Sequence, residues 1–380
     1  MNNQEIVSPG QMGVLFFVYM TGSSIINIPN PLIAKAQNGA WLSLLISGGA
    51  GLLLLACVLY LYRRYPELTF VQYSNKLIGV WPTAVIAALP ISFMLHMSTG
   101  IALDIGLFMR SSMLRETPIY AFSFLTLLVA ALTVRAGVEV MARMFLLIMI
   151  PVVLFVGFVL LLAMKDYDPS LLFPVMPQGI KPVLNGAFFS YGFPYAEVFL
   201  FAMLLPFSRK SDTVKVNRIM VVTLTANIVV LCISTVCTIM VFGPMAGMKK
   251  YSLYELARTI EVQEIITRIE SMIGLSLIAG SYMKSTITLY VLSIFVSHLF
   301  RLKNERAIAL PLALVIFLNT LVGFDSDMQW VEMVSIVHPV WVTFAYVLPL
   351  LLVTAAALFR KPSGQGKREG SVTSEESENL

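Results

Sequence analysis

Residues 21–29 read TGSSIINIP, and this polar, helix-breaking stretch lies inside an apolar segment that begins near Met12. A segment of about 20 apolar residues is long enough to cross a membrane as a helix. Within lipid every backbone N–H and C=O must be paired, so irregular backbone is tolerated only where it is buried in protein or lines a cavity. The stretch therefore predicts a membrane-spanning helix that is interrupted beside such a cavity.

The composition of the whole chain is that of a membrane protein. Of the 380 residues, 58% are hydrophobic and only 12% are charged, and the mean hydropathy is +0.82. Soluble domains carry about 25% charged residues. The first ten residues, MNNQEIVSPG, contain no Lys or Arg and do not resemble the start of a cleaved signal peptide. We therefore expect the first apolar segment to remain in the membrane.

The apolar segments predict ten spans. Judged by length and hydrophobicity, they cover residues 11–34, 41–62, 82–109, 118–135, 141–164, 183–207, 214–243, 271–300, 305–323 and 333–359. Because Lys and Arg concentrate in alternate connections, the positive-inside rule puts both termini in the cytoplasm. We expect a single transmembrane domain over residues 1–360, with repeats at about 11–164 and 183–359, and a disordered cytoplasmic tail over residues 361–380.

Two of the connections are long enough to contain structure of their own. Residues 69–78 predict a short helix on the cytoplasmic face. Residues 251–270 place apolar side chains at helical spacing with charges between them, which predicts an external amphipathic segment packed on the bundle.

A second interruption is predicted in span 6, where residues 190–197 read SYGFPYAE. Interrupted helices at corresponding positions of two halves indicate the central site of a transporter-like fold. Backbone N–H groups freed at the first break attract a carboxylate, and carbonyls freed at the second suit an ammonium group or a cation. Together they match a zwitterion such as an amino acid. For either break alone, close packing of small residues is the alternative interpretation.

Asp104, Glu197 and Lys284 are ionisable residues that fall within predicted spans. A charge at the centre of a bilayer costs about 2.5–3.5 kcal/mol, so such groups usually face the protein interior and are paired. We expect Glu197 to stay protonated, to act as a proton relay, to hold the interrupted segment by accepting N–H bonds, or to form a structural ion pair with Lys284. For Asp104 we expect an interfacial salt bridge with Arg110.

The sequence contains no catalytic or metal-binding motif. The three histidines stand at unrelated spacings, and the three cysteines lie in apolar spans without a CxxC pair. We therefore expect no enzymatic activity, no cofactor and no metal. Apart from Lys284, the basic residues lie in or beside the loops between spans, so we also expect no nucleic-acid partner and contacts with membrane lipid instead.

The chain resembles the B subunit of GerA-type spore germinant receptors, the endospore germination permease family within the amino acid–polyamine–organocation superfamily. Four stretches carry the resemblance: SPGQMGVLFFVYMTGSSIINIP, RRYPELTFVQYSNKLIG, SYGFPYAEVFLFAMLLPF and YSLYELARTIEVQEIITRIES. The resemblance implies an all-α, LeuT-like fold of ten transmembrane helices in a five-plus-five inverted repeat, with helices 1 and 6 discontinuous. It also implies a subunit in the inner membrane of a spore that binds a small germinant, with an amino acid as the expected ligand, and that assembles with A and C subunits.

The expected ligand site combines both breaks with the facing helices. By the resemblance, Thr21, Gly22 and Ser23 would meet the carboxylate, Met97, Ile101 and Phe193 would shape the side-chain pocket, and Glu197 matches an acidic residue common in the family. The full set of candidate contacts is Thr21, Gly22, Ser23, Ser24, Met97, Ile101, Tyr191, Phe193, Glu197, Ser281 and Ser285.

Two other functions remain open at this stage. A proton-coupled amino acid or polyamine transporter would need the same broken helices. A scaffold subunit without a ligand site would need them only for packing. A membrane transport assay and substitutions at the first break distinguish the three.

Overall fold

The computed structural model describes residues 5–260, 269–302, 304–323 and 332–359. The tail predicted over residues 361–380 and part of the predicted external segment, residues 261–268, lie outside these ranges. Within them the chain is helical, and one isolated bridge joins Val7 to Ser208. Eight helices among the described residues are long and apolar enough to cross a membrane.

The first half of the chain contains eight α-helices. They are α1 Pro9–Thr21, α2 Ser24–Asn27, α3 Pro29–Ala36, α4 Ala40–Arg64, α5 Phe70–Ile78, α6 Val80–Phe108, α7 Ile119–Ala136 and α8 Val138–Leu162. Predicted span 1 thus corresponds to three successive helices, and the short helix expected at residues 69–78 is α5.

The second half opens with another interrupted span. Its helices are α9 Ile180–Gly192, α10 Phe201–Leu204, α11 Thr213–Phe242, α12 Ser252–Thr259, α13 Glu270–Phe300, α14 Ala309–Val322 and α15 Met333–Phe359. A 3-10 helix, Tyr195–Leu200, joins α9 to α10, and α15 contains two π-helical turns. The expected external segment is helical over α12.

Local sequence signals explain several helix ends. Ser8 caps α1 and exchanges hydrogen bonds with Gln11 in a capping box, and Thr69 and Gln72 do the same at α5. Gly137 separates α7 from α8 with a φ of +96°, a conformation that a residue with a Cβ rarely adopts. Helices α7 and α8 are therefore joined through a single residue.

The helices that surround the centre are the two interrupted spans, α6 and α13. In the apolar part of α13, 78% of the residues are buried inside the protein, and the corresponding figure is 83% for residues 180–207 and 17% for α8. Helix α13 packs against α1, α6, α7 and α8. This arrangement places spans 1, 3, 6 and 8 around one interior region and leaves α8 at the periphery.

The N-terminal segment ties several spans together on one face of the bundle. The Val7 N–H donates to the carbonyl of Phe207 at 2.9 Å. The Glu5 carboxylate forms an ion pair with Arg306 and accepts hydrogen bonds from the Val138 N–H at 3.1 Å and the Tyr290 hydroxyl at 3.4 Å. These contacts close the face of the bundle on which the described chain begins.

Candidate functional site

The first break lies where span 1 meets span 8. Helix α1 ends at Thr21 and α2 begins at Ser24, and the Gly22 N–H donates the last hydrogen bond, to the Val18 carbonyl at 2.8 Å. A Cβ at Gly22 would lie 2.7 Å from the Gly280 carbonyl oxygen. Both interpretations of this stretch therefore hold. The helix is interrupted, and the small residues allow the backbones of spans 1 and 8 to pack closely.

The second break lies in span 6 against span 10. Helix α9 ends at Gly192, and Phe193 is extended with φ −144° and ψ 111° before the chain resumes as a 3-10 helix at Tyr195. A Cβ at Gly192 would lie 2.7 Å from the Cα of Pro339. The discontinuity predicted for helices 1 and 6 is confirmed.

A cavity of about 360 Å³ lies between the two breaks. Five of the predicted contacts line it: Ser23, Met97, Ile101, Phe193 and Ser281. Ser23 and Ser281 are 3% and 1% exposed, and neither hydroxyl has a hydrogen-bond partner among the described residues. A buried hydroxyl usually has a partner, so these two groups are available to a bound molecule.

Two side-chain contacts fix the alignment of spans 1 and 3 along the cavity. The Tyr19 hydroxyl donates to the Met97 sulfur at 3.7 Å, and the Asn27 amide donates to the Asp104 carboxylate. Asn27 and Asp104 both line the cavity. The expectation that Asp104 forms an interfacial salt bridge with Arg110 is therefore wrong: the helical register turns this carboxylate inward, towards span 1.

The other predicted contacts lie elsewhere. Thr21 and Gly22 line a second, apolar cavity of about 190 Å³ beside α8 and α11, and the Thr21 hydroxyl accepts a hydrogen bond from the Asn227 amide at 2.9 Å. Ser24 and Ser285 are buried outside the lining of either cavity. The Tyr191 hydroxyl accepts a hydrogen bond from Thr343 at 3.4 Å. Ligand contact at these five positions stays a prediction.

The ion pair considered for Glu197 is present. Lys284 Nζ lies 2.6 Å from Glu197 Oε2, and both side chains are fully buried. The ammonium lies 4.0 Å from the centroid of the Phe193 ring, and His338 Nε2 lies 3.9 Å from Glu197 Oε1. Phe193 and His338 also line the cavity, so the ion pair lies next to it. The ion pair joins the second break to span 8.

Several cavity residues were not among the candidates from sequence. They include Asn27, Asn30, Lys35, Asp104, Lys250 and His338. Asn27 follows Ser23 by four positions, and Asp104 follows Met97 by seven. Each spacing puts the two residues on one face of a helix. Extending the helical spacing from Ser23 and Met97 would have found these two residues. Lys250 and His338 come from distant parts of the chain and carry no such signal.

The described residues contain no group of three His, Cys, Asp or Glu side chains arranged to hold a metal ion. The cavity offers instead hydroxyl, amide, ammonium and carboxylate groups at the edges of an otherwise apolar space. Binding pockets for small organic molecules have this composition.

Similar structures agree with the geometry. A sodium-coupled sialic acid symporter, solved in a substrate-bound outward-open state, superimposes with a TM-score of 0.67 at 11% identity, covering 91% of this chain and 79% of the symporter. A manganese transporter of Eremococcus coleocola superimposes with a TM-score of 0.61 at 13% identity, covering 90% and 78%. At these identities the likeness concerns the fold, and it confirms the predicted all-α, LeuT-like architecture with interrupted first and sixth spans.

Sequence comparison gives the family. The chain is 26% identical to spore germination protein KB of Bacillus subtilis (strain 168) over 369 residues, which are 96% of this chain and 98% of that protein. It is 22% identical to spore germination protein YndE of the same organism, covering 84% and 88%. The family described as "Spore germination protein" matches residues 6–327. This chain is therefore an integral membrane protein that belongs to the spore germination protein family.

Proposed function

We propose that this chain is the membrane subunit of a spore germinant receptor and that it binds a small germinant, an amino acid, in the cavity between the two helix breaks. The observation that carries the proposal is the pair of buried hydroxyls, Ser23 and Ser281, that face the cavity without partners among the described residues. They lie at the level where span 1 is interrupted, so the site and the irregular backbone belong together.

The membrane orientation follows from the distribution of basic residues. With both termini in the cytoplasm of the spore, the face closed by the Glu5 contacts is internal. The cavity extends to Lys35 of α3 and to Gly247 and Lys250 in the segment after α11, which belong to the opposite face. A germinant would then enter from outside the spore inner membrane.

Signalling requires a change that partner subunits can detect. A ligand shifts a conformational equilibrium only through different affinities for the two states. The cavity is bounded by helices of both halves of the chain, so a ligand there favours one packing of span 1 and span 3 against spans 6 and 8. We propose that an A subunit and a C subunit read this shift and that germination follows.

A transporter remains the second candidate. The solved structures with this fold that are described above are transporters, and closure of one face while the other is open is the arrangement that alternating access uses. Uptake of labelled amino acid by proteoliposomes that contain this chain alone would favour transport. Absence of saturable uptake, together with ligand binding, supports the receptor.

Direct binding tests the proposal. Purified protein is titrated with a panel of amino acids, sugars and nucleosides, and thermal stabilisation and heat of binding are measured. Ser23→Leu fills the cavity at the first break and should abolish binding. Gly49→Leu is the matched control, because position 49 faces open space on α4. Equal binding by both variants would show that the ligand binds outside this cavity, and absence of binding to the wild type would favour a scaffold subunit.

A further inference from the structure

We infer that Asp104, held by Asn27, is the residue that binds the ammonium group of the ligand, so that the charged end of the ligand lies in the outer part of the cavity and its uncharged part lies deeper. This inference rests on the proposed function and assigns the orientation of the ligand. It differs from the sequence expectation, in which the backbone groups freed at the two breaks bind the charges.

The cavity has an inner and an outer level. Ser23 and Ser281 mark the inner level, because Gly22 and Gly280, the residues before them, are in contact. Asn27 lies four residues after Ser23 in a helical segment, which is about 6 Å further along the axis at 1.5 Å per residue. The hydrogen bond from Asn27 brings Asp104 to this outer level.

Charge is distributed unevenly between the two levels. Among the described lining residues, the carboxylate and ammonium groups belong to Lys35, Asp104 and Lys250, all at or beyond the level of Asn27. The inner level presents hydroxyls, the His338 imidazole and apolar side chains. Burying an ionised group away from water and countercharge is costly, so a zwitterion is more stable with its charges at the outer level.

Asp104 is suited to an ammonium group. It is a carboxylate inside a membrane span, where an ionised group needs a partner; the Asn27 amide donates a hydrogen bond to it, and the Lys250 ammonium is close enough to interact with its charge. That hydrogen bond orients one carboxylate oxygen and leaves lone pairs for a cationic donor, which gives a shorter and stronger hydrogen bond than a neutral donor does. The lysines at the same level supply positive charge for a ligand carboxylate.

The two levels together define a ligand class. The ligand is a primary amine, of which α-amino acids are the simplest that also carry a carboxylate, and its side chain extends about 6 Å inward towards Ser23 and Ser281. Met97, Ile101 and Phe193 line that path. Sugars and nucleosides lack the ammonium group and are excluded by this assignment.

A thermodynamic cycle between ligand and protein tests the assignment. The affinities of wild type and Asp104→Asn are measured for L-alanine and propionate and for L-valine and 3-methylbutanoate, pairs that differ in the ammonium group. In wild type the amino acid should bind on the order of ten- to hundredfold more tightly than its deaminated partner, as expected for a hydrogen bond to a charged group. In Asp104→Asn this preference should fall at least tenfold while the deaminated acid binds as before.

The controls separate the possible outcomes. Asp166→Asn makes the same substitution at an exposed position outside the cavity and should leave the preference unchanged. Unchanged binding of the deaminated acid shows that the Asp104→Asn cavity is folded. If Asp104→Asn weakens both members of a pair equally, or neither, the assignment of Asp104 is wrong while the cavity remains a ligand site. If wild type binds no amino acid, the proposed function fails, and this inference fails with it.

Discussion

Replacing Gly22 by alanine tests how closely the broken part of span 1 packs on span 8. A Cβ at position 22 would lie 2.7 Å from the carbonyl oxygen of Gly280 and 3.0 Å from its Cα. Ordinary contact begins at 3.4 Å, so the two backbones must move apart. Backbone atoms cannot rotate aside as a flexible side chain can, and we expect the substitution to lower the free energy of unfolding by about 1–3 kcal/mol, the cost of overpacking an interior.

Thermal unfolding of the purified proteins in one detergent measures this effect. Gly49→Ala is the control, because a Cβ there meets no atom within 4 Å and alanine is favoured in a helix by about 1 kcal/mol. Gly22→Ala should unfold a few degrees below wild type, and Gly49→Ala at the wild-type temperature or above it. The reciprocal variant Gly280→Ala, whose Cβ would lie 2.4 Å from the Gly22 carbonyl oxygen, should behave like Gly22→Ala. If Gly22→Ala is as stable as Gly49→Ala, the close contact between spans 1 and 8 is refuted.

Three further substitutions probe other parts of the structure. Glu197→Gln leaves Lys284 buried without its anionic partner and should lower the free energy of unfolding by about 3–5 kcal/mol; in the double variant with Lys284→Met the loss should be less than additive, and additive losses would show that the pair is not coupled. Glu5→Gln weakens a partly exposed ion pair, worth less than about 1 kcal/mol, and should speed proteolysis of the N-terminal segment, whereas unchanged cleavage would mean that this segment is held by other contacts. Burial raises the pKa of Glu305 above 4.5, so the wild type loses stability relative to Glu305→Gln as the pH rises through the folded-state pKa. The difference between the melting temperatures of the two proteins should change between pH 4 and 8, and a difference that stays constant would contradict the raised pKa.

Much of the fold could be predicted because its signals are local. Clusters of Gly, Ser and Pro interrupt the apolar sequence at TGSSIINIP and at SYGFPYAE. Helices α1 and α9 end within these clusters, at Thr21 and Gly192. The pairing of Glu197 with Lys284 could be considered from sequence because two charges buried within spans require partners. Helix ends were less accurate: predicted span 1 ends at residue 34, whereas α3 continues to Ala36.

Which residues line the cavity could be predicted only in part, because this depends on side-chain directions at the helix break and on the register between spans. Successive residues at a helix break point in different directions, so TGSSIINIP does not reveal that Ser23 faces the cavity while Thr21 faces Asn227. Asp104 was assigned to the wrong partner because the choice between Arg110 and Asn27 depends on the register between spans 1 and 3. That register is fixed by long-range packing, which includes the contact of Tyr19 with Met97.

Chemical labelling at Ser281 is the most direct test of ligand binding between the two helix breaks. Ser281→Cys, in a chain whose own cysteines are replaced by serine or alanine, is reconstituted into vesicles and exposed to a small, membrane-impermeant thiol reagent. We expect labelling from the face opposite the termini, at a rate that falls when an amino acid from the binding panel saturates the cavity. A thiol that does not react from that face, or that reacts equally fast with and without a bound amino acid, would contradict a germinant site in this cavity.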